Sequence, residues 1–203
     1  MALGVEPQRK VKMDDRALLE RVRQGDEQAF SRLYARYQSA IYRYAMHICG
    51  AAAADDVVQD TFVALLRQPA KYDEARGPLA GYLLGIARHH VLKRLAIELP
   101  LDPLDEGDGE ATGGAAEMAT PLDIASRAEL VAQVRDAIRA LPPAYRETVV
   151  LCELQDVDYA AAAAIMQCPI GTVRSRLHRA KAMLMTKLAT LHSASVAASR
   201  REP

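Results

Sequence analysis

From Tyr159 to Lys181 the chain reads YAAAAAIMQCPIGTVRSRLHRAK, two helix-forming runs broken at Cys168-Pro169, and this break constrains the fold more than any other feature. Pro169 lacks an amide proton and holds φ near the helical value, so it fits the first position of a new helix, with Cys168 as a poor but tolerated N-cap. Beyond it Ile170, Val173, Leu177, Ala180, Leu184 and Leu188 recur every three or four residues and form one apolar stripe that has to be buried. The other side carries Arg174, Ser175, His178 and Arg179, flanked by Arg176 and Lys181, with no acid among them. A short helix, a tight turn and a second helix with a cationic outer side is the arrangement that places a helix in the DNA major groove. Its N-terminal half then reads base edges while arginines and lysines bind phosphates. The run before the turn is almost pure alanine and suits a helix that crosses a neighbour closely.

A DNA-binding chain should be basic, yet the formal net charge is zero. The balance is an average of opposites. Residues 1–95 hold 15 Lys and Arg against 11 Asp and Glu, residues 96–126 hold none against 8, and residues 127–203 hold 11 against 7. Two mildly basic blocks thus flank a wholly acidic connector, LPLDPLDEGDGEATGGAAEMATPLD, rich in Gly, Pro and Ala and free of aromatic residues, which reads as a flexible linker.

The N-terminal block is helical throughout. Asp14 or Asp15 can cap a short helix carrying Leu18, Leu19 and Val22 and ended by Gly25, after which Asp26 caps the next. That helix bears a long stripe of Phe30, Leu33, Tyr34, Tyr37, Ile41, Tyr44 and Ile48, expected in the core. A third helix, from about Ala53 to Arg67, turns Val57, Val58, Thr61, Phe62 and Leu65 inward and leaves Asp56, Gln59, Asp60 and Val63 outside. After a polar loop a fourth helix begins near Pro78, with Leu79, Tyr82, Leu83, Ile86, Val91 and Leu95 inward and Arg88, His89 and Lys93 outward, Arg94 near its end and Arg76 in the loop before it. Such a cationic face beside an aromatic-bearing loop suits single-stranded DNA, through phosphate attraction and base stacking.

The C-terminal block opens with Leu130, Val131, Val134, Ala137, Ile138 and Leu141 on one helix face, closed by Pro142 and Pro143. A helix starting at Pro143, the alanine helix and the basic helix complete a second bundle. The fold class is all-α, two small bundles joined by the acidic linker, with no strand pattern.

Other chemistries find little support. Cys49, Cys152 and Cys168 lack paired ligand spacing, so neither a metal site nor a disulfide framework is expected, and no cofactor is implied. His47, His89 and His90 have no carboxylate or nucleophile at a telling spacing. The chain is therefore not expected to be an enzyme or to take a small-molecule substrate. No apolar run reaches membrane-spanning length and the first residues have no secretory core, which points to a reducing cytoplasm without membrane insertion.

The order of these parts, with the phrases GDEQAF, DDVVQDTF, GYLLGIARHH, LPPAYRE and CPIGTVRSRLHRA, resembles the extracytoplasmic-function sigma factors of the sigma-70 family over roughly residues 14–188. The resemblance implies a disordered N-terminus at 1–13, a region 2-like domain at 14–96, the linker at 97–126, a region 4-like domain at 127–188 and a tail at 189–203. It implies core RNA polymerase, through its clamp and flap regions, and promoter DNA as partners, together with an anti-sigma factor that can hold the chain at the membrane.

By position, Asp56, Gln59, Asp60 and Val63 would dock on polymerase, and Arg76, Arg88, His89 and Lys93 would capture the melted -10 element. Thr172, Arg174, Ser175, Arg176, His178 and Arg179 would read the -35 element. The acidic connector would thread the polymerase cleft as a polyanion. The chain departs from the family pattern at Tyr82, where Trp is usual, at His89, where Asn is usual, at Lys93, where Asp is common, and in Ala160 to Ala164, where a glutamate is expected. Two rivals are a stand-alone helix-turn-helix regulator on duplex operator DNA and a sigma mimic that sequesters an anti-sigma factor. The first leaves the DDVVQDTF helix without work, and the second needs no outward arginines on the last helix.

Overall fold

Capping residues set where the first helices begin. The computed structural model describes residues 14–98 and 123–199, with side chains for 14–95 and 130–189. Asp14 takes the N-cap position of α1 (Asp15–Arg23), which buries Leu18, Leu19 and Val22. The Asp26 carboxylate accepts the Ala29 amide at 3.0 Å and so opens α2 (Glu27–Cys49). Between α2 and α3 (Ala51–Arg67) stands Gly50, at φ +88° and ψ 165°, a conformation open in practice to glycine alone. Two 3-10 turns, Pro69–Lys71 and Glu74–Arg76, lead into α4 (Leu79–Glu98).

In the second half, α5 (Asp123–Arg139) is followed by α6 (Pro143–Val149), which runs on as a π-helical segment over Val150–Leu154. The short α7 (Tyr159–Met166) then turns into α8 (Ile170–Ser199). The described residues contain helices and turns and no strand.

Helix α2 is the spine of the N-terminal half, packed on α1, α3 and α4, and α8 plays that part in the C-terminal half against α5, α6 and α7. The halves also touch: α7 lies on α4, while α2 meets α5, α6 and the π segment. Their apolar interiors join into one cluster that runs from Leu18 to Ala180. Of the alanine run, Ala162 is fully buried while Ala160 and Ala164 are exposed. A helix whose side chains end at Cβ can lie close to α8 and α4 at once.

Several expectations change in detail. Pro169 is the cap rather than the first helical residue, since its carbonyl accepts the amides of Thr172 at 2.9 Å and Val173 at 3.3 Å; the helix itself begins at Ile170. Ile170 is exposed, so the buried stripe of α8 starts at Val173 and continues through Leu177 and Ala180. Leu130 and Val131 are exposed too, and among the described side chains of α5 Ala137 and Ile138 are the buried ones, with Leu141 just beyond it. Tyr34 is partly in solvent, its ring 4.7 Å from that of Phe62. Val63 is half-buried rather than outside. The helix α3 starts at Ala51, two residues earlier than its acids suggest. Most of the acidic connector lies outside the described residues, but its end from Asp123 is already α5. At the other end, α8 continues to Ser199, through residues read from sequence as a tail.

Candidate nucleic-acid interface

The turn between α7 and α8 is tight because Gln167 adopts the left-handed conformation, φ +55°, and lets the Cys168 amide reach the Ala163 carbonyl at 3.1 Å. This closes α7 and aims α8 away from it. With Val173, Leu177 and Ala180 buried, the 100° step of a helix leaves Arg174, Ser175 and His178 exposed on the far side, with Thr172, Arg176 and Arg179 half-buried at its edges. Ser175 Oγ donates to the Thr172 carbonyl at 3.1 Å, a local bond that holds the hydroxyl against the helix. At the far end of the face Lys181 Nζ lies 2.9 Å from Glu153 of the π segment, so an acid from another element does reach this flank.

The loop before α4 is built rather than loose. The Asp73 carboxylate accepts the Ala75 amide at 3.0 Å, and Gly77 takes φ +136°, ψ 179°. Tyr72 donates its hydroxyl proton to the Gly77 carbonyl at 3.1 Å, and its ring sits 5.5 Å from that of Tyr82. Arg76 is exposed, one residue before Gly77. His89 and Lys93 are exposed on α4 as expected.

Arg88 is not. It lies one residue after Ala87 and three before Val91, both fully buried, and turns toward the C-terminal half. Its Nε donates to Glu147 Oε1 at 2.7 Å and its Nη2 to Oε2 at 3.5 Å, with the two side chains only 18% and 9% exposed. The Tyr44 hydroxyl donates to the same Oε1 at 2.8 Å. Burial, reinforced by the Glu147 charge, pushes the Tyr44 phenol well above its usual range, so it remains a donor at physiological pH. One residue earlier, Arg146 donates to the Ile48 carbonyl at 3.3 Å and the Leu141 carbonyl at 3.1 Å, so it closes the ends of α2 and α5 together.

The acids of α3 are likewise engaged. Arg94 Nη1 reaches Asp56 at 3.2 Å and Nη2 reaches Asp60 at 3.1 Å, with His90 Nδ1 3.7 Å from Asp60. Asp56 and Asp60 nevertheless keep 61% and 45% of their side chains in solvent, enough for further donors to approach, and Gln59 is exposed beside them.

The buried contacts of Tyr44, Arg146 and Glu147 were not foreseen from sequence. A signal existed in the phrase LPPAYRE, which sets an acid beside the inward-facing Val149, and in a tyrosine on a core stripe whose hydroxyl needs a partner. No cluster of metal-ligating side chains is present among the described residues.

Two helical units, one ending in an acid-bearing helix and a cationic helix and the other in a helix-turn-helix, make a bipartite transcription-factor architecture. Residues 33–96 match the family model of sigma-70 region 2, and residues 132–184 match that of sigma-70 region 4. The ECF RNA polymerase sigma-E factor of Escherichia coli K12 is 31% identical over 187 residues, covering 88% of this chain and 96% of that protein. The protein of that name from Haemophilus influenzae is 32% identical over 187 residues, covering 88% and 97%. The chain belongs to the sigma-70 family, among its extracytoplasmic-function members.

Among solved structures, that of CnrH in complex with the cytosolic domain of CnrY superposes with a TM-score of 0.64 at 26% identity, over 87% of this chain and 97% of that one. The sigma factor RpoE of Bartonella quintana, in complex with the anti-sigma factor NepR, superposes at 0.60 over 79% and 96%. At 21% identity the latter speaks for the fold.

Proposed function

We propose that this sigma factor binds core RNA polymerase, brings it to a two-part promoter and helps open the duplex, with each step assigned to particular residues. The observation that carries the reading is the pairing, in one chain, of a region 2 match at residues 33–96 with a region 4 match at residues 132–184. A stand-alone operator-binding regulator would leave the first of these without a purpose. On α8, Arg174, Ser175 and His178, with Thr172, Arg176 and Arg179 at the edges, read the -35 element in the major groove. Arg76, His89 and Lys93, joined by Arg88 once it leaves Glu147, take the melted -10 strand beside Tyr72 and Tyr82. Binding unpaired bases lowers the free energy of the open duplex, so melting proceeds by selection of the open state.

Asp56, Gln59 and Asp60 of α3, with Val63, dock on the polymerase clamp, and the C-terminal half meets the flap. The acids of the connector, eight without a base over residues 96–126, act as a polyanion in the polymerase cleft. Synthesis belongs to the polymerase, and the factor itself catalyses nothing. Among the described residues no helix is long and apolar enough to cross a membrane; the proposed work places the chain with polymerase and DNA in the cytoplasm. The relative solved in complex with the cytosolic domain of CnrY supports a protein partner for this chain, which the family reading makes an anti-sigma factor able to hold it at a membrane.

A reconstituted run-off reaction with core polymerase and DNA from upstream of the gene tests this reading. Specific transcripts are expected only when polymerase and the chain are both present, and tight sequence-specific binding without polymerase would favour the stand-alone regulator. In the same system Arg174→Ala should cost about 1–3 kcal/mol of recognition with relaxed preference at one base pair. An equal loss on every sequence assigns Arg174 to a phosphate instead.

A further inference from the structure

The first turn of α8 differs from the rest of the proposed reading face. From Arg174 to His178 the exposed side chains are polar or cationic, whereas Pro169, Ile170 and Gly171 just ahead of them are exposed and carry no charge. Ile170 keeps 40% of its surface in solvent, although Val173, Leu177 and Ala180 at the following helical steps are buried. A single exposed isoleucine on a protein surface is ordinary. This one has Arg174 one turn along the same helix, so its apolar side chain is continuous with the face assigned to duplex.

Gly171 gives a second, independent sign. A Cβ at this position would meet no atom of any packing neighbour within 4 Å, and its φ is not left-handed, so neither packing nor backbone geometry asks for glycine. Glycine is a poorer helix residue than alanine, and nothing inside the chain compensates for it here. What the missing side chain allows is the close approach of an outside surface beside Ile170. In the major groove the apolar feature is the C5-methyl group of thymine, while the other base edges present hydrogen-bonding groups to which an aliphatic side chain offers nothing.

We propose that Ile170 packs on a thymine methyl group of the -35 element, with Gly171 letting the first turn of α8 close on it. This turn then selects thymine, while Arg174 and its neighbours supply the polar contacts. The inference rests on the assignment of α8 to duplex DNA. It predicts a preference that hydrogen bonding alone would not give, since deoxyuridine pairs as thymidine does and lacks only the methyl group.

The test uses holoenzyme assembled from core polymerase and the full chain, on promoter duplexes from upstream of the gene. Thymines of the -35 element are replaced by deoxyuridine one at a time, and affinity is measured by competition against the labelled promoter. At one position at least, replacement should weaken binding by the wild-type chain about fourfold, the factor that burial of one methyl group provides. Ile170→Ala should lose at least as much on the thymine duplex and become indifferent to deoxyuridine at that position. Arg174→Ala should bind both duplexes more weakly and keep the ratio between them. Gly171→Ala should unfold at the same temperature or higher, because alanine is the better helix former, and yet bind the promoter more weakly.

Deoxyuridine accepted as well as thymine at every position overturns the inference, as does a penalty that persists in Ile170→Ala. So does a loss of affinity for core polymerase in Ile170→Ala, which would assign the side chain to a protein contact. A holoenzyme that depends on Arg174 but ignores the methyl groups overturns this inference alone. One that ignores the whole -35 element overturns the functional reading and this inference with it.

Discussion

Helices α4 and α8 both carry clustered cations, and in sequence they look like two versions of one device. In the folded chain they differ. The arginine-bearing side of α8 is exposed at Arg174, Ser175 and His178, and at its far end Lys181 lies 2.9 Å from Glu153. On α4, Arg88 is sealed against Glu147 and Arg94 is held by Asp56 and Asp60, which leaves His89 and Lys93 outward. A run of cations is a ready surface only where no other element of the chain brings an acid to it. The side of α8 proposed to read duplex thus keeps Arg174 and His178 in solvent, whereas the side of α4 proposed to capture a strand is in part satisfied from within.

The sharpest way to break this contrast is to exchange its buried and exposed sides. Leu177→Ala removes a side chain that is 4% exposed beneath the reading face, and should cost about 2–5 kcal/mol in urea unfolding. Arg174→Ala, one turn away in solvent, should leave stability within about 0.5 kcal/mol. A similar loss from both would mean that Arg174 is part of the packing.

Gly77→Ala asks whether the loop before α4 is held as rigidly as the turn before α8. A Cβ at φ +136° meets no atom within 4 Å, so the cost is backbone strain, about 1–3 kcal/mol in stability, with oligothymidylate binding weakened as Tyr72 loses its acceptor geometry. Arg94→Ala should change stability by no more than about 1 kcal/mol, because its partners are largely solvated. If the acids of α3 dock on polymerase, the same variant should bind core enzyme at least as tightly, as measured by competition; weaker binding would place Arg94 itself in the contact.

The smallest effect concerns pH. Burial, and then the charges of Arg135, Arg139 and Arg43, hold His47 below its ordinary value of 6.5. His90 is lowered as well, by burial first and then His89, Arg94 and Lys93, with Asp60 opposing. In both cases the folded chain binds fewer protons than the unfolded one, so this stability is present above pH 6.5 and is lost as pH falls through the window below it. Thermal unfolding between pH 7.5 and 5.5 should show that slope, and His47→Gln should flatten it.

Helix positions and the outer face of α8 were readable in the sequence because they follow from local rules: caps such as Asp26, breakers such as Gly25 and Pro169, and the step from Val173 to Leu177 to Ala180. What was not readable depends on contacts between distant segments. Arg88 was grouped with His89 and Lys93, although it lies on the same side as Leu84 and Val91, and only its meeting with Glu147, 59 residues away, shows why a charge can sit there. Leu130, Val131 and Ile170 follow the helical period yet are exposed, because period locates a face but not the neighbour that would cover it. The departures at Tyr82 and in the alanine run were visible as letters; the first packs on Tyr72, and the second belongs to the helix that meets both α4 and α8.

That second departure has a mechanical meaning. Two ridged helices, pulled apart, must withdraw long side chains from each other's grooves, and the extent of that interlocking sets how stiffly they are joined. Helix α7, trimmed to methyl groups over Ala160 to Ala164, offers little along that run for a neighbour to interlock with. The halves are held together by the apolar cluster they share and by the buried Arg88–Glu147 pair that spans them.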